Sequence, residues 1–108
     1  MTKTIVIKTQ FEGIHQWPDC NIPEVHFLRN PHRHIFHVTM KFKVDHNNRE
    51  KEFIVAKRQL EDVLRIDYAD KDLGAMSCED IAEKLMAHFQ ASYVSVFEDN
   101  ENGAEIYV

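Results

Sequence analysis

The stretch from Phe36 to Val44 is the pattern that most constrains the fold, because apolar and polar residues alternate along it. The apolar positions are Phe36, Val38, Met40, Phe42 and Val44, and the polar ones are His37, Thr39, Lys41 and Lys43. A period of two is that of a β-strand with one buried and one polar face. The sequence therefore predicts a strand over about 34–45, in a sheet covered on one face.

A histidine cluster stands at the entry of this strand, within the segment Asn30–His37. Residues two apart on a strand share a face, so we expect His32 and His34 to point to the same side. Catalytic zinc sites use three protein ligands and keep a fourth position open. With His15 from a neighbouring strand end, the cluster predicts such a site. The alternative is that these histidines cap strand ends and bind backbone or carboxylate groups.

An anion site is a second interpretation of the same region. Arg29 and Arg33 flank the histidines, and Arg58 follows on a predicted helix. The planar fork of arginine matches phosphate oxygens. Side chains able to stack on a base or contact its edge are Trp17, Phe27, Phe97, Glu98 and Asn102. Taken singly, such an arginine is usually solvated and such a phenylalanine usually belongs to a core.

Hydrophobic periodicity and turn residues predict seven regular elements and a long loop. The strands are expected over about Thr4–Phe11, 34–45, Glu50–Val55, Tyr93–Glu98 and Ala104–Val108, and the helices over Ala56–Ile66 and from Ser77 to about Gln90. Ser77 and Asp80 have the spacing of a capping box. Within the loop Glu12–Asn30, Pro23–Leu28 is expected to form one helical turn. The pair Asn102-Gly103 suits positive φ. The order β-β-β-α-α-β-β predicts an α+β domain, with two helices on one face of a mostly antiparallel sheet.

Length and charge limit the class of protein. A chain of 108 residues is expected to form one domain, 1–108. A net charge of −5 argues against general binding to nucleic acid or to a membrane surface. No apolar run approaches the roughly 20 residues of a membrane span, so we expect a cytoplasmic protein. Cys20 and Cys78 do not form a disulfide framework. No nucleophile elbow, P-loop or dinucleotide motif is present, so no catalytic residue is predicted.

Several short motifs resemble the tunnelling-fold pterin synthases, which include the 6-pyruvoyl- and 6-carboxy-tetrahydropterin synthases. Phe11-Glu12-Gly13-Ile14-His15 is similar to the place of their first zinc histidine, and His32-Arg33-His34 resembles their His-Gly-His pair. Ser77–Ala82 resembles the start of their second helix, and Val96-Phe97-Glu98 the strand whose glutamate anchors the pterin ring. Their nucleophilic cysteine is absent near Leu28 and Asn30, and Asp67–Asp70 lacks their histidine. The resemblance implies a zinc enzyme acting on a pterin or a purine-derived triphosphate.

A second resemblance is to small phage-encoded proteins. Phe11–Pro18, Phe27-Leu28-Arg29 and Pro31-His32-Arg33-His34 are similar to the type-one Thoeris anti-defence proteins. That family sequesters cyclic ADP-ribose signals of bacterial TIR-domain immunity, as an oligomer and without chemistry. This resemblance implies a phage or prophage protein in an infected or lysogenic bacterial host.

The sequence therefore supports two functions. The first prediction is a non-catalytic homo-oligomer, dimer or hexamer, that sequesters a cyclic ADP-ribose-type nucleotide without a cofactor. Arg29, Arg33 and Arg58 would bind the pyrophosphate, and Phe27, Trp17, Phe97, Glu98 and Asn102 would complete the ligand site. The alternative is the zinc-dependent enzyme that uses His15, His32 and His34.

Overall fold

A four-stranded antiparallel sheet in the order β1-β2-β3-β4 forms the body of the protein. The structure, a computed structural model, describes residues 1–108. Its elements are β1 (Lys3–His15), a 3₁₀-helical segment (Pro23–Arg29), β2 (His32–Val44), α1 (Phe53–Asp67), α2 (Cys78–Phe89), β3 (Tyr93–Glu98) and β4 (Asn102–Tyr107). This arrangement confirms the predicted α+β class and the antiparallel sheet. Neither helix is long and apolar enough to cross a membrane.

The hydrophobic core lies between one face of the sheet and the two helices. Alternate residues of β2 are buried, as the pattern of the sequence predicts. The helices contribute residues at helical spacing, which are Ala56, Leu60 and Leu64 from α1 and Ile81, Ala82 and Leu85 from α2. All belong to one cluster with Phe36, Val38, Met40, Val94 and Val96. The end of the sheet beyond this cluster is where the histidines lie.

The predicted third strand, Glu50–Val55, does not form, and this prediction was wrong. Helix α1 begins at Phe53, where the carboxylate of Glu52 accepts a hydrogen bond from the backbone N–H of Ile54 at 2.9 Å. A side-chain acceptor at this position satisfies one of the free N–H groups of a helix start. Phe53, Ile54 and Val55 are each more than half exposed on the first turn. The β-branched run therefore belongs to a helix, and the element order is β-β-α-α-β-β.

Strand β1 continues to His15, four residues beyond the predicted end at Phe11. Both edges of this extension are hydrogen-bonded: His15 pairs with His32 of β2, while Ile14 N–H donates to the carbonyl of Lys71 at 3.1 Å. A side chain at Gly13 would meet Leu73 at 3.2 Å. Glycine interrupts the apolar pattern of β1 without ending the strand, because the segment after α1 packs closely there. The loop predicted over Glu12–Asn30 is correspondingly shorter.

In the turn between β3 and β4, the residues with left-handed backbone conformation are not the predicted ones. Asp99 has a φ of 54° and Asn100 a φ of 58°, and Glu101 N–H donates to the carbonyl of Glu98 at 2.9 Å. Positive φ at both central residues is the requirement of a type I′ turn, and Asp and Asn tolerate it. The Asn102-Gly103 pair lies within β4 instead, and the turn places Asp99 beside the entry of β2.

Candidate metal centre and adjoining pocket

Three histidines meet at the end of the β1–β2 hairpin. His15 and His32 are register partners, and His34 lies opposite Gly13, two residues further along β2. All three point to the helix-covered side of the sheet, and their ring centroids are 4.5–5.4 Å apart. One ligand nitrogen from each ring lies within 4.8 Å of the other two. The predicted set of His15, His32 and His34 is therefore brought together.

Each imidazole is held through its Nδ1 atom by an oxygen. Nδ1 of His15 lies 2.8 Å from the carbonyl of Met76, and Nδ1 of His32 lies 2.8 Å from the carbonyl of Asn30. Nδ1 of His34 lies 2.7 Å from Oδ2 of Asp99. Because these oxygens accept, each Nδ1 carries a hydrogen, and in the neutral form of each ring the lone pair is on Nε2. Acceptors behind the ligating histidines in this way are typical of metal sites.

The Nε2 atoms of His15 and His34 are buried and have no hydrogen-bond partner. Their nearest charged neighbour is the carboxylate of Glu98, at 3.0 Å from His15 Nε2 and 3.6 Å from His34 Nε2. The 3.0 Å contact between His15 and Glu98 is within the distance of an ion pair, but its geometry is not that of a hydrogen bond. Buried polar atoms are nearly always satisfied in proteins, so two such atoms facing one point indicate a place for a ligand.

The electrostatics of the site centre on Glu98. Its contact with His15 raises the pKa of that imidazole, outweighing burial, which lowers it. The same contact, with the charge of His34, holds the pKa of Glu98 below its ordinary value although burial opposes this. The pKa of Asp99 is lowered mainly by its hydrogen bond to His34. The carboxylates of Glu98 and Asp99 are therefore ionised at neutral pH and lie beside the imidazoles.

A cavity of about 420 Å³ adjoins the histidines. It is lined by His15, Gln16, Trp17, Leu28, His32, Ala75, Met76, Ser77, Cys78, Glu79, Glu98, Asn102 and Gly103. The lining comes from the ends of β1, β2 and β3, from the loop after β1, from the start of α2 and from β4. Of the predicted ligand residues, Trp17, Glu98 and Asn102 lie here together. A pocket with apolar walls and a few convergent polar groups is the usual form of a small-molecule site.

Cys78 is a pocket residue whose state could not be read from the sequence. It is the first residue of α2, where the helix dipole favours a thiolate. Burial instead raises the pKa of its thiol to about 12, and the neighbouring carboxylate of Glu98 adds to the effect. The thiol is therefore protonated at neutral pH.

The predicted pyrophosphate and stacking groups are not brought together. Arg33 lies on the opposite face of β2, where it contacts Glu12 at 2.6 Å and Asp70 at 3.4 Å. Arg58 lies on α1 beside a separate groove, and Arg29 donates from Nε to the carbonyl of Cys20 at 2.6 Å. Of the aromatic residues, Phe27 is largely exposed on the 3₁₀-helical segment, and Phe97, next to Glu98 on β3, faces away from the cavity. Nucleotide sequestration stays a prediction.

Three supporting groups were missed at the sequence level: Asp99 and the carbonyls of Met76 and Asn30. Asp99 directly follows Glu98 at a turn, so its position was visible, but its pairing with His34 depends on a register between β2 and β3 that no local pattern reveals. The carbonyl of Met76 reaches His15 across 61 positions of the chain. Every residue has a backbone carbonyl, so the residue type at position 76 gives no indication of this contact.

Comparison with known proteins adds no assignment: no protein-family model matches the chain, and neither does any curated protein sequence. The chemistry of the donor set is therefore the basis for a function. Imidazole nitrogens suit zinc, copper, iron and nickel, whereas magnesium and calcium prefer oxygen.

Proposed function

We propose that this protein is a zinc-dependent enzyme acting on a pterin-type heterocycle held in the pocket beside the three histidines. The observation that carries the proposal is the convergence of His15, His32 and His34, each held at Nδ1 by an oxygen acceptor. This leaves three Nε2 lone pairs for one ion. The resemblance of the same residues to the pterin synthases supports the choice of metal and substrate.

The number of ligands supports catalysis over a structural role. Structural zinc sites use four protein ligands, whereas catalytic sites use three and keep one position for water or substrate. Bound zinc would supply a Lewis acid at that position. The cavity of about 420 Å³ is lined by two of the donors, His15 and His32, so a small molecule bound there would lie beside the metal.

The remaining pocket residues suit a flat, nitrogen-rich ring. Glu98 offers carboxylate oxygens that accept N–H groups, the role that the resemblance implies for it. Trp17, Leu28 and Met76 supply apolar wall, and Asn102 can both donate and accept. The raised pKa keeps the Cys78 thiol protonated, so Cys78 is not a ready nucleophile and is too weak an acid to donate a proton efficiently at neutral pH.

The test is a calorimetric zinc titration of chelator-treated protein. We expect one zinc per chain in the wild type and loss of measurable binding in His32→Gln and His34→Gln. His37→Gln is the matched control, since His37 lies on the same strand but faces the other side, and we expect it to bind zinc like the wild type. Circular dichroism establishes that each variant is folded. Absence of zinc binding by the wild type, or equal loss in His37→Gln, would contradict the proposal.

A second prediction concerns Asp99, the carboxylate that holds Nδ1 of His34, and its expected effect is a partial loss of zinc affinity. Asp99→Asn should weaken zinc binding by about 10–100-fold, the usual effect of removing a supporting group behind a ligating histidine. Asparagine tolerates the positive φ at this position, so the turn should persist. The measurement is competition for zinc against a coloured chelator, with Asp62→Asn on the exposed side of α1 as control. An unchanged affinity in Asp99→Asn would show that Asp99 does not support the ligand.

The sequestration function predicts a different result in the same preparation. A metal-free protein would then retain an intact cyclic ADP-ribose-type nucleotide, and Arg29→Ala would weaken that retention without unfolding the chain. Native mass spectrometry distinguishes the two outcomes, because it reports zinc and nucleotide separately.

A further inference from the structure

We infer that the pocket selects a heterocycle with an uncharged or cationic substituent and discriminates against a phosphorylated one. This inference rests on the proposed function and names the class of substrate more narrowly than the resemblance to pterin synthases does.

The charged side chains that line the cavity beside the imidazoles are the carboxylates of Glu79 and Glu98. Glu98 lies at the histidines, and Glu79 lies on the first turn of α2 at the exposed rim. His15, which is only 8% exposed, also lines this cavity, and its Nε2 is buried without a hydrogen-bond partner. The cavity therefore adjoins the candidate metal site of the three histidines and has two carboxylates in its wall.

The start of α2, which would otherwise attract phosphate, is partly capped by the chain's own side chains. Helix N-termini favour anions because their free N–H groups and dipole are positive. Here Ser77 Oγ accepts from Asp80 N–H at 3.1 Å, and Asp80 Oδ2 accepts from Ser77 N–H at 3.0 Å. Glu79 adds a further negative charge in the first turn. A phosphate at this rim would meet carboxylates.

The metal does not reverse this balance. A zinc ion carries two positive charges, the three imidazoles bind it as neutral ligands, and Glu79 with Glu98 supplies two negative charges. The formal sum is zero, so no surplus charge is left for a phosphate. Neither nearby arginine lines the cavity, and Arg33 is paired with Glu12 and Asp70 on the other face of β2.

The test compares ligands with one ring system on the zinc-loaded protein, by isothermal titration calorimetry with neopterin and with neopterin triphosphate. We expect neopterin to bind at least about tenfold more tightly, because like charges placed together are strongly unfavourable. Glu79→Gln should narrow this ratio severalfold. Glu83→Gln, one turn further along α2 and also exposed, should leave the ratio unchanged.

Results that contradict this inference can be distinguished from results that contradict the proposed function. If zinc binds but the triphosphate binds as tightly as neopterin or more tightly, this inference is overturned and the proposed function stands. An equal response of Glu79→Gln and Glu83→Gln would also overturn it. If zinc binds and neither pterin does, the heterocycle part of the proposed function falls together with this inference, and a wild type without zinc removes the basis of both.

Discussion

Replacing Phe36 by alanine is expected to lower the free energy of unfolding by about 3–5 kcal/mol, the usual cost of deleting a buried aromatic ring. Phe36 is fully buried and stacks on Phe11 with ring centroids 5.1 Å apart. Natural domains have only about 5–15 kcal/mol of stability, so the variant should unfold at much lower urea concentration. Urea titration followed by circular dichroism measures the change.

The same substitution should also weaken zinc binding. The Phe36 ring meets the edges of His15 and His34, with centroids 5.3 Å and 5.8 Å away, so its loss leaves space into which both imidazoles can turn. Phe53→Ala is the control, because Phe53 is 56% exposed, and exposed substitutions usually stay within about 0.5 kcal/mol. Equal unfolding midpoints for the two variants would refute the assignment of Phe36 to the core beneath the site.

Substituting alanine for Gly103 is expected to cost about 3 kcal/mol, at the upper end of the range for overpacking. A Cβ at this position would clash with the carbonyl oxygen of Val96 and would lie 2.5 Å from the Cα of Phe97. Both obstacles are backbone atoms of β3, which cannot turn away as the end of a side chain can. Strand β4 must therefore move, and the pocket wall formed by Asn102 and Gly103 moves with it.

The control for this variant is Glu101→Ala, which changes the exposed neighbouring turn without adding an atom between the strands. Amide hydrogen exchange should show faster exchange along β3 and β4 in Gly103→Ala, while α1 stays protected. Unchanged protection of β4 would mean that the two strands do not approach as closely as the structure has them.

The parts of this fold that were predictable are those in which neighbouring residues carry the signal. The alternation of Phe36–Val44 identified β2 and its buried face, and the spacing of Ser77 and Asp80 identified the start of α2. The run Ile54-Val55 was misleading because β-branched residues favour strands, whereas the cap at Glu52 and the burial of Leu60 and Leu64 decide for a helix. Tertiary packing overrode local propensity there.

The candidate site, too, was predictable only where neighbouring residues carry the information. His32 and His34 share a face because they are two residues apart, which is local information. The addition of His15 needed only the assumption that an adjacent strand ends nearby. The arginine set was drawn from proximity in sequence alone, and the pleat of β2 places Arg33 on the opposite face from both histidines. Hydrogen bonds from Nδ1 to Met76 and Asp99 depend on long-range register and could not be predicted.

The metal donors and the walls of the pocket belong to different parts of the chain. All three histidines lie on the β1–β2 hairpin, whereas Trp17 and Leu28 come from the connection between those strands, and Ser77–Glu79 from the region where α2 begins. Connections of this kind tolerate changes in length and sequence better than paired strands do. The ligand preference of this scaffold can therefore be redesigned by exchanging residues 16–29, while the hairpin and the Asn30 carbonyl that holds His32 continue to present the same three nitrogens.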